Sequence, residues 1–343
     1  MTLVVDLLSK KSQKSYYLVF LLSVAFILLV TFLTYEKDNT FSLKGEVMGT
    51  SYKVILVDFE DDNIEKEIFN VLNSVNQEMS TYINSSSISK LNNTNINEWV
   101  YVSNNFIAVA LFSQKTCLST EGMFDISVGN LVNYYGFGPP ESSGSYDDDL
   151  LEEYKKEINC FSFEIDPQKK RIKRVNNVYL DMSAVAKGYA IDQLSKYLDS
   201  ISINSYLIEL GGEVKLRGHK SASQPWVVGI ENPGSISAPL LTLSSKDYKD
   251  LSLATSGEYR NFKSKDGIIV SHTIDPTTLK PLKRKHLSVS VLAENTMKAD
   301  ALATALNVMG LEQGLKYSNT HKIRSVYILK ENENYILKTS KWF

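Results

Sequence analysis

The hydrophobic positions along the chain follow two spacings, which predict a mixture of helices and strands. Between residues 64 and 79 the apolar side chains recur three or four positions apart, as on one buried face of a helix. Asp61 and Asp62 precede this stretch and suit the first turn of a helix. Similar patterns predict helices over residues 105–119, 183–198 and 296–309. The apolar positions of the first helix are Ile64, Ile68, Val71, Leu72, Val75 and Met79.

Short runs rich in β-branched and aromatic residues predict strands. A loop is predicted at residues 136–149, which contain two prolines, several glycines and an acidic cluster before a charged helix. Because the strands come in runs that helices interrupt, the pattern favours an α+β fold with antiparallel sheet over a doubly wound parallel sheet. The predicted strands cover residues 51–57, 161–165, 171–175, 178–180, 206–210, 213–216, 226–230, 323–329 and 335–337.

A stretch without any charge covers residues 16–34, about the length that a helix needs to cross a bilayer. Tyr35 and Glu36 follow it, where a cleaved signal peptide would have small residues. We therefore predict an uncleaved transmembrane signal anchor, with a buried core helix as the alternative.

The charges before this stretch set its predicted orientation. Lys10, Lys11 and Lys14 stand against one acid, Asp6, and the positive-inside rule keeps such an N-terminus in the cytoplasm. The remainder is then expected on the periplasmic or extracellular side of the inner membrane. The predicted organisation is a cytoplasmic N-terminus at residues 1–15, the anchor at 16–34, a tether at 35–44 and one catalytic domain at 45–343.

The overall composition is that of an ordinary globular protein, with 343 residues of which 43% are hydrophobic and 22% charged. The formal net charge of -2 gives no reason to expect a surface rich in Lys and Arg. Nucleic acid is therefore not expected as a partner. Cys117 and Cys160 are the only cysteines. They pair if the compartment is oxidising, or they remain as buried thiols.

Asp300 and Thr304 stand one turn apart on the predicted helix at 296–309. A carboxylate and a hydroxyl so placed can reach one hard cation, and Mg²⁺ prefers oxygen ligands and often also takes substrate phosphates. The alternative is structural, in which Asp300 interacts with the helix dipole and Thr304 only packs.

A second candidate site lies where a predicted strand meets the helix at 183–198. Asp181 ends the strand, Ser183 suits the N-cap, and Lys187 adds a positive charge near helix N–H groups that can bind an anion. Many such turns carry a cap and a lysine without a ligand. His272 is a candidate general base, although a single histidine is also a common structural residue.

Taken in order, the motifs of the chain resemble those of the FAD:protein FMN transferases, the ApbE-like family. The resemblance runs from about residue 45 to residue 310, and it implies an ApbE-like (T-fold-like) arrangement of antiparallel sheets with packed helices. The motifs are VMGTSYKV, MSTYINSSSISKLN, GMFDISVGNLVNYYGFG, DMSAVAKGYAID, YLIELGGEVKLRG, WVVGIENP, LATSGEYRNF, HTIDP and ADALATALNVMG.

The resemblance also implies the site residues. It assigns the metal to the carbonyl of Ala184 and the side chains of Asp300 and Thr304, and it makes His272 the group that activates the incoming hydroxyl, with Lys187 assisting. The strand at 272–274 is included in the FAD site. The residues implied to bind FAD are Met48, Tyr82, Met123, Phe124, Asp125, Asp181, Lys187, His272 and Ile274.

Three residues depart from the family pattern. Glu209 replaces the usual Asn before a glycine pair, Leu279 replaces a Gly after the Asp-Pro turn, and Tyr135 replaces a common Trp. Glu209 matters most, because an acid near a diphosphate needs a proton or a cation.

The implied function is a Mg²⁺-dependent transfer of FMN from FAD to a Thr or Ser hydroxyl of another protein, with release of AMP. The implied acceptors are exported or membrane redox proteins, such as subunits of Na⁺-pumping NADH:quinone reductase or Rnf-type complexes. Two alternatives are hydrolysis of FAD to FMN and AMP, and a membrane-tethered protein that binds FAD without catalysis.

Overall fold

The computed structural model describes residues 22–26, 40–59, 61, 63–139, 148–221, 224–234, 238–248, 250–257, 262–265, 268–282, 286–332 and 334–343. Thr40–Phe343 is one compact unit. Of the predicted anchor only residues 22–26 are described, as a helical segment, and the remainder of the anchor and residues 1–15 lie outside the described residues. Within the described ranges, no helix has the length and apolar character needed to span a membrane.

The described residues form an α+β structure. The helices are α1 (Ile64–Met79), α2 (Ser87–Asn93), α3 (Asn104–Ser119), α4 (Gly129–Tyr134), α5 (Asp148–Glu157), α6 (Ser183–Ser200), α7 (Thr296–Met309) and α8 (Leu311–Thr320). The strands are β1 (Thr40–Val47), β2 (Thr50–Val57), β3 (Val100–Tyr101), β4 (Phe163–Asp166), β5 (Arg171–Arg174), β6 (Tyr206–Leu210), β7 (Glu213–Arg217), β8 (Val227–Ile230), β9 (Leu241–Ser244), β10 (Asp250–Gly257), β11 (Phe262–Lys265), β12 (Ile268–Ser271), β13 (Ile274–Asp275), β14 (Lys280–Pro281), β15 (His286–Ala293), β16 (Arg324–Glu331) and β17 (Asn334–Thr339).

One large antiparallel sheet organises the domain. Its eight strands follow the order β1-β2-β6-β7-β10-β15-β16-β17, and every neighbouring pair is antiparallel. The smaller sheets pair β3-β5-β4, β8-β9, β11-β12 and β13-β14. The prediction of an α+β fold with antiparallel sheet is therefore confirmed.

Side chains that alternate along the strands cover both faces of the large sheet. On one face Val54 and Leu56 of β2 pack with residues of α1 and α6. On the other face Leu253 and Val326 pack with Trp226, which precedes the β8–β9 hairpin. The helices α6 and α7 also pack against each other, and α7 lies against β10 and β15. The sheet thus supports two adjacent helices that carry predicted site residues.

Several elements differ from the sequence-based expectation. The first strand begins at Thr40, inside the segment predicted as a tether. Residues 178–180 form no strand, and Tyr179 makes only an isolated bridge to Val128. The short helices α2, α4 and α8 were missed because each spans too few turns to show a period.

The strands β10 and β15 were also missed, although both lie inside the large sheet. Their apolar residues alternate with serines such as Ser252, Ser288 and Ser290, which are also buried. Such alternation is the ordinary pattern of an antiparallel strand, so the signal was present in the sequence and was overlooked. Ser256 and Gly257 end β10.

The two cysteines form a disulfide, Cys117–Cys160, which decides between the alternatives that the sequence left open. Cys117 lies near the end of α3, and Cys160 lies in the segment between α5 and β4. The bond therefore closes a loop with a sequence separation of 43 residues.

We expect the double variant Cys117→Ser, Cys160→Ser to lose roughly 4 kcal/mol of unfolding free energy, because the disulfide restricts the unfolded chain over that loop. Urea unfolding with and without dithiothreitol measures this loss. The reductant should lower the stability of the wild type to that of the variant and leave the variant unchanged. A difference below about 1 kcal/mol would contradict the expected role of the bond.

Candidate active site

Two helices meet at Gly188, and this contact brings predicted site residues together. A Cβ atom at Gly188 would lie 2.7 Å from the carbonyl carbon of Thr296 and 2.8 Å from the Cα of Met297, so only glycine permits this approach. The Gly188 N–H donates a hydrogen bond of 3.0 Å to Oδ2 of Asp300. The start of α6 and the metal-binding candidate of α7 are therefore in direct contact.

This bond bears on the predicted ligand Ala184. In a regular α-helix the N–H of residue 188 points toward the carbonyl of residue 184. Because that N–H donates to Asp300, we expect the carboxylate to lie on the side of α6 that carries the Ala184 carbonyl. Thr304 lies one turn further along α7 and is half-buried. Carbonyl, carboxylate and hydroxyl oxygens are the donors that Mg²⁺ prefers, so the residues present fit that ion.

Lys187 lies among three acidic groups. Its Nζ is 3.7 Å from Oε1 of the buried Glu213. Burial opposes the charge on the lysine, but Glu213, Asp300 and Asp181 outweigh it and raise its pKa. Lys187 therefore carries a positive charge at neutral pH.

Asp300 is buried and needs compensation for its charge. Burial raises its pKa, while Lys187 and the Gly188 N–H oppose that rise. A bound cation would act in the same direction as Lys187 and would favour the ionised carboxylate.

The glycine pair lies beside Lys187. Gly211 has a φ of +60°, and a Cβ there would lie 3.3 Å from Cδ of Lys187. Oε1 of Glu209 accepts a 2.7 Å hydrogen bond from the N–H of Gly212. Glu209, which departs from the family pattern, thus closes this turn with its carboxylate.

Met48 occupies the turn of the β1–β2 hairpin. Val47 pairs with Thr50, so the turn residues are Met48 and Gly49, with φ of 54° and 71°. Positive φ at both positions matches a type I′ turn, in which a non-glycine residue is uncommon. The Met48 side chain is half-buried and packs on the main core.

Tyr82, Phe137 and His272 form a chain of contacts. The Tyr82 hydroxyl donates to the Phe137 carbonyl at 2.6 Å, and the Phe137 ring lies edge-on to the His272 ring with centroids 6.5 Å apart. Tyr82 is 62% exposed, and its partial desolvation together with the charge of Asp181 raises its pKa. Asp181 also favours the charged form of Lys187 and so contributes to its raised pKa.

The strand predicted at 272–274 is only partly present. His272 lies at a bend between β12 and β13, and Ile274 begins β13. The Ile274 side chain is buried with Leu131 and Leu279, so it faces the protein interior. A ligand at this position would meet the main chain of Ile274.

The three side chains of the Met123–Asp125 segment differ in their burial and surroundings. Phe124 is fully buried in the main core, and Met123 is half-buried beside α7. Asp125 is buried, and its Oδ1 accepts hydrogen bonds from the N–H and hydroxyl of Ser127 at 2.8 and 2.7 Å. Burial raises the Asp125 pKa, and the Ser127 bonds oppose this.

Asp125 also adjoins the disulfide. A carboxylate oxygen of Asp125 and the two sulfur atoms lie within 4.8 Å of one another. Asp125 and Cys160 line a cavity of about 310 Å³ with Phe161, Pro276 and Thr277. Since both cysteines are bonded, this group is not a metal site.

The other two departures from the family pattern contact each other. Leu279 has a φ of 58°, a left-handed conformation that glycine adopts at lower cost. Its side chain is buried with Leu131, and its carbonyl accepts a 3.0 Å hydrogen bond from the Tyr135 hydroxyl.

The predicted residues therefore fall into connected groups. Lys187 and Asp300 lie at the contact of α6 and α7, and Ala184 precedes Gly188 by four residues on α6. Asp181 acts electrostatically on both Lys187 and Tyr82. Tyr82 contacts Phe137, which in turn lies against His272. Asp125 is joined through its neighbour Ile126, whose carbonyl accepts the Asp181 N–H at 2.8 Å. The ligand roles of these residues stay predictions.

Sequence reasoning did not identify Glu213 or Phe137 as parts of the site, and it did not identify the contact that Gly188 makes with α7. Gly188 and Phe137 lie inside the quoted motifs, which was the one available signal. Glu213 follows the glycine pair directly, but nothing in the sequence places it beside Lys187.

Comparison with known proteins identifies the family of the chain. The model of the ApbE family matches residues 48–328. The FAD:protein FMN transferase of Vibrio cholerae is 33% identical over 297 residues, covering 85% of this chain and 88% of that protein. That of Haemophilus influenzae is 30% identical over 320 residues, covering 90% and 92%.

Solved structures show the same similarity. Flavin transferase ApbE from Vibrio cholerae matches with a TM-score of 0.76 at 32% identity, covering 90% of this chain and 99% of that one. The apo form of Pseudomonas stutzeri flavinyl transferase ApbE matches with a TM-score of 0.80 at 26% identity, covering 90% and 97%. Fold and relatives define an enzyme of the flavinyltransferase class, as predicted. The chain belongs to the ApbE family.

We expect Gly188→Ala to lower the unfolding free energy by about 1–2 kcal/mol, because overpacking against the backbone of α7 exceeds the gain in helix propensity. Gly314→Ala on α8 is a matched control, since its Cβ would also overpack, against the Tyr327 hydroxyl and, at 3.2 Å, the Leu306 carbonyl in the C-terminal half of α7. Hydrogen exchange should show lost protection at the N-terminus of α7 only in Gly188→Ala. Equal protection in both variants would contradict the close-contact role of Gly188.

Proposed function

We propose that this chain transfers FMN from FAD to a Thr or Ser hydroxyl of another protein in a Mg²⁺-dependent reaction that releases AMP. The contact between α6 and α7 is the observation that carries this proposal, because it brings a charged lysine and a buried carboxylate together at the first turns of α6. That combination suits a diphosphate and a divalent cation. The names of the relatives, FAD:protein FMN transferase, support the choice of substrate.

The reaction is an in-line displacement at the FMN-side phosphorus of FAD. The acceptor hydroxyl oxygen forms the new phosphoester bond while the bond to the bridging oxygen breaks, and AMP leaves with that oxygen. His272 takes the proton of the attacking hydroxyl. Lys187 balances charge on the diphosphate, and Tyr82 and Met48 orient the flavin half. Mg²⁺, held by Ala184, Asp300 and Thr304, would supply charge neutralisation at the diphosphate.

Transfer and hydrolysis differ only in the nucleophile, since water in place of the acceptor hydroxyl gives FMN and AMP. A purely FAD-binding protein would need neither a base nor a metal site. The assay therefore combines the protein with FAD, Mg²⁺ and a candidate acceptor, and follows both the acceptor mass and free FMN. An acceptor mass gain of one FMN supports transfer. If only free FMN and AMP form, the reaction is hydrolysis and the proposal of transfer is wrong.

We further propose that residues 16–34 anchor the chain in the inner membrane and that the catalytic domain faces outward, where exported redox proteins such as Na⁺-pumping NADH:quinone reductase or Rnf-type subunits are the acceptors. The disulfide supports this location, because such bonds persist in oxidising compartments. Fractionation should find the full-length chain in membranes and accessible to protease from outside. A shortened soluble form would contradict the uncleaved anchor.

Asp300→Asn should lower Mg²⁺-dependent transfer about 10²-fold or more, since charge stabilisation by a metal is worth several kcal/mol. The amide keeps an oxygen that can accept the Gly188 N–H, so the fold should persist. Single-turnover transfer with a Mg²⁺ titration measures the effect, and thermal unfolding is the control. Near-normal transfer at the wild-type Mg²⁺ requirement would remove Asp300 from the metal site.

His272→Ala should retain FAD affinity within a few-fold and lower transfer by roughly 10² or more, because a general base acts in the transition state. Flavin fluorescence measures affinity, and single-turnover kinetics measures transfer. Phe137→Leu is a useful comparison, since it removes the ring that lies against His272 and keeps the base. Equal losses of affinity and transfer in His272→Ala would make His272 a binding residue.

A further inference from the structure

The buried carboxylate of Asp192 joins the same two helices at a second point. Asp192 lies on α6, one turn after Gly188 and therefore on the same face. Its Oδ1 accepts the N–H of Thr296 at 2.9 Å, and its Oδ2 accepts the N–H of Met297 at 2.8 Å. These are the first N–H groups of α7, which have no partner within their own helix.

Two oxygens on two successive N–H groups fix both the distance and the rotation of α7 relative to α6. A single hydrogen bond would fix only the distance. The negative charge also favours a helix N-terminus, where the helix dipole is positive. The helix begins there and presents Asp300 one turn later, so the position of this N-terminus determines where the carboxylate lies.

Lys215 of β7 compensates the Asp192 charge from the sheet. Its Nζ lies 3.6 Å from Oδ1 of Asp192 and donates a 3.2 Å hydrogen bond to the Ser252 hydroxyl of β10. Both charged side chains are almost fully buried, at 12% and 11% exposed. A buried carboxylate with this many partners is held in one orientation.

We propose that Asp192 is a positioning residue for the metal site. It holds the N-terminus of α7 on α6 and so sets the spacing between the Ala184 carbonyl, contributed by α6, and the Asp300 and Thr304 side chains, contributed by α7. Asp192 touches neither substrate nor metal in this scheme. The inference rests on the proposed function, because it gives Asp192 a role only if a cation binds between the helices.

Asn295 provides the control for a purely structural role. Its side chain accepts the Lys298 N–H at 2.8 Å and caps the same end of α7, but it belongs to that helix and does not join it to α6. Asp192→Asn and Asn295→Ala therefore each remove a hydrogen bond from the N-terminus of α7. Only the first also loosens the contact between helices.

The experiment measures Mn²⁺ binding to the purified full chain in the presence of FAD, by the loss of the free-ion EPR signal. Asp192→Asn should raise the Mn²⁺ dissociation constant roughly tenfold, the lower end of the range for groups that orient metal ligands. FAD affinity without metal should stay within twofold, and transfer should recover at saturating Mg²⁺. Asn295→Ala should lower the thermal midpoint and leave the Mn²⁺ dissociation constant within twofold.

Asp192→Glu is the second variant if the asparagine protein does not fold, since it keeps the charge and both oxygens but displaces them by one methylene. It should also weaken Mn²⁺ binding. Unchanged Mn²⁺ affinity in the folded Asp192 variants, or an equal effect in Asn295→Ala, overturns the positioning role. A wild type that binds no Mn²⁺ but transfers FMN would instead refute the metal-dependent part of the proposed function, which separates the two failures.

Discussion

The hydrogen bond from the Gly188 N–H to the buried Asp300 carboxylate is the contact on which the site depends. It requires two backbones to approach more closely than any Cβ allows, and it places a carboxylate where water cannot fully solvate it. The antiparallel sheet makes this possible by supporting α6 and α7 as neighbours. Asp192 then fixes the rotation of the second helix. The elements remote from the site therefore act on it mainly by keeping these two helices together.

The charge balance at this contact favours a cation before any substrate is bound. Lys187 is one positive charge among Glu213, Asp300 and Asp181. A diphosphate would add further negative charge, and the lysine alone would not offset it. A divalent ion bound at this contact would restore the balance, and this is the physical reason for proposing that transfer needs a metal. The carboxylate of Glu209 accepts the Gly212 N–H, and this bond leaves its negative charge in place.

The sequence predicted those features that depend on local spacing. The face of α1, the helix α6 and the Asp300–Thr304 pair on α7 all follow from helical periodicity. The central strands β10 and β15 were missed although their apolar residues alternate with serines, as expected of antiparallel strands. Local spacing did not indicate that these serines are buried as well. Local spacing could not predict the hydrogen-bond partner of Asp300, because Gly188 lies 112 residues earlier in the chain. A main-chain donor has no side chain to mark it, so only the folded arrangement of the two helices identifies it.

Leu279 and Tyr135 show how two unusual residues can form one unit. Leu279 has a strained left-handed backbone. Its side chain fills a small core, and its carbonyl accepts a hydrogen bond from the Tyr135 hydroxyl. Glycine at 279 would relieve the backbone but leave a void beside Leu131. The two positions are therefore energetically coupled, and their effects on stability should not add. In an alignment of relatives, they form a pair to examine for covariation, because a change at one alters what the other can tolerate.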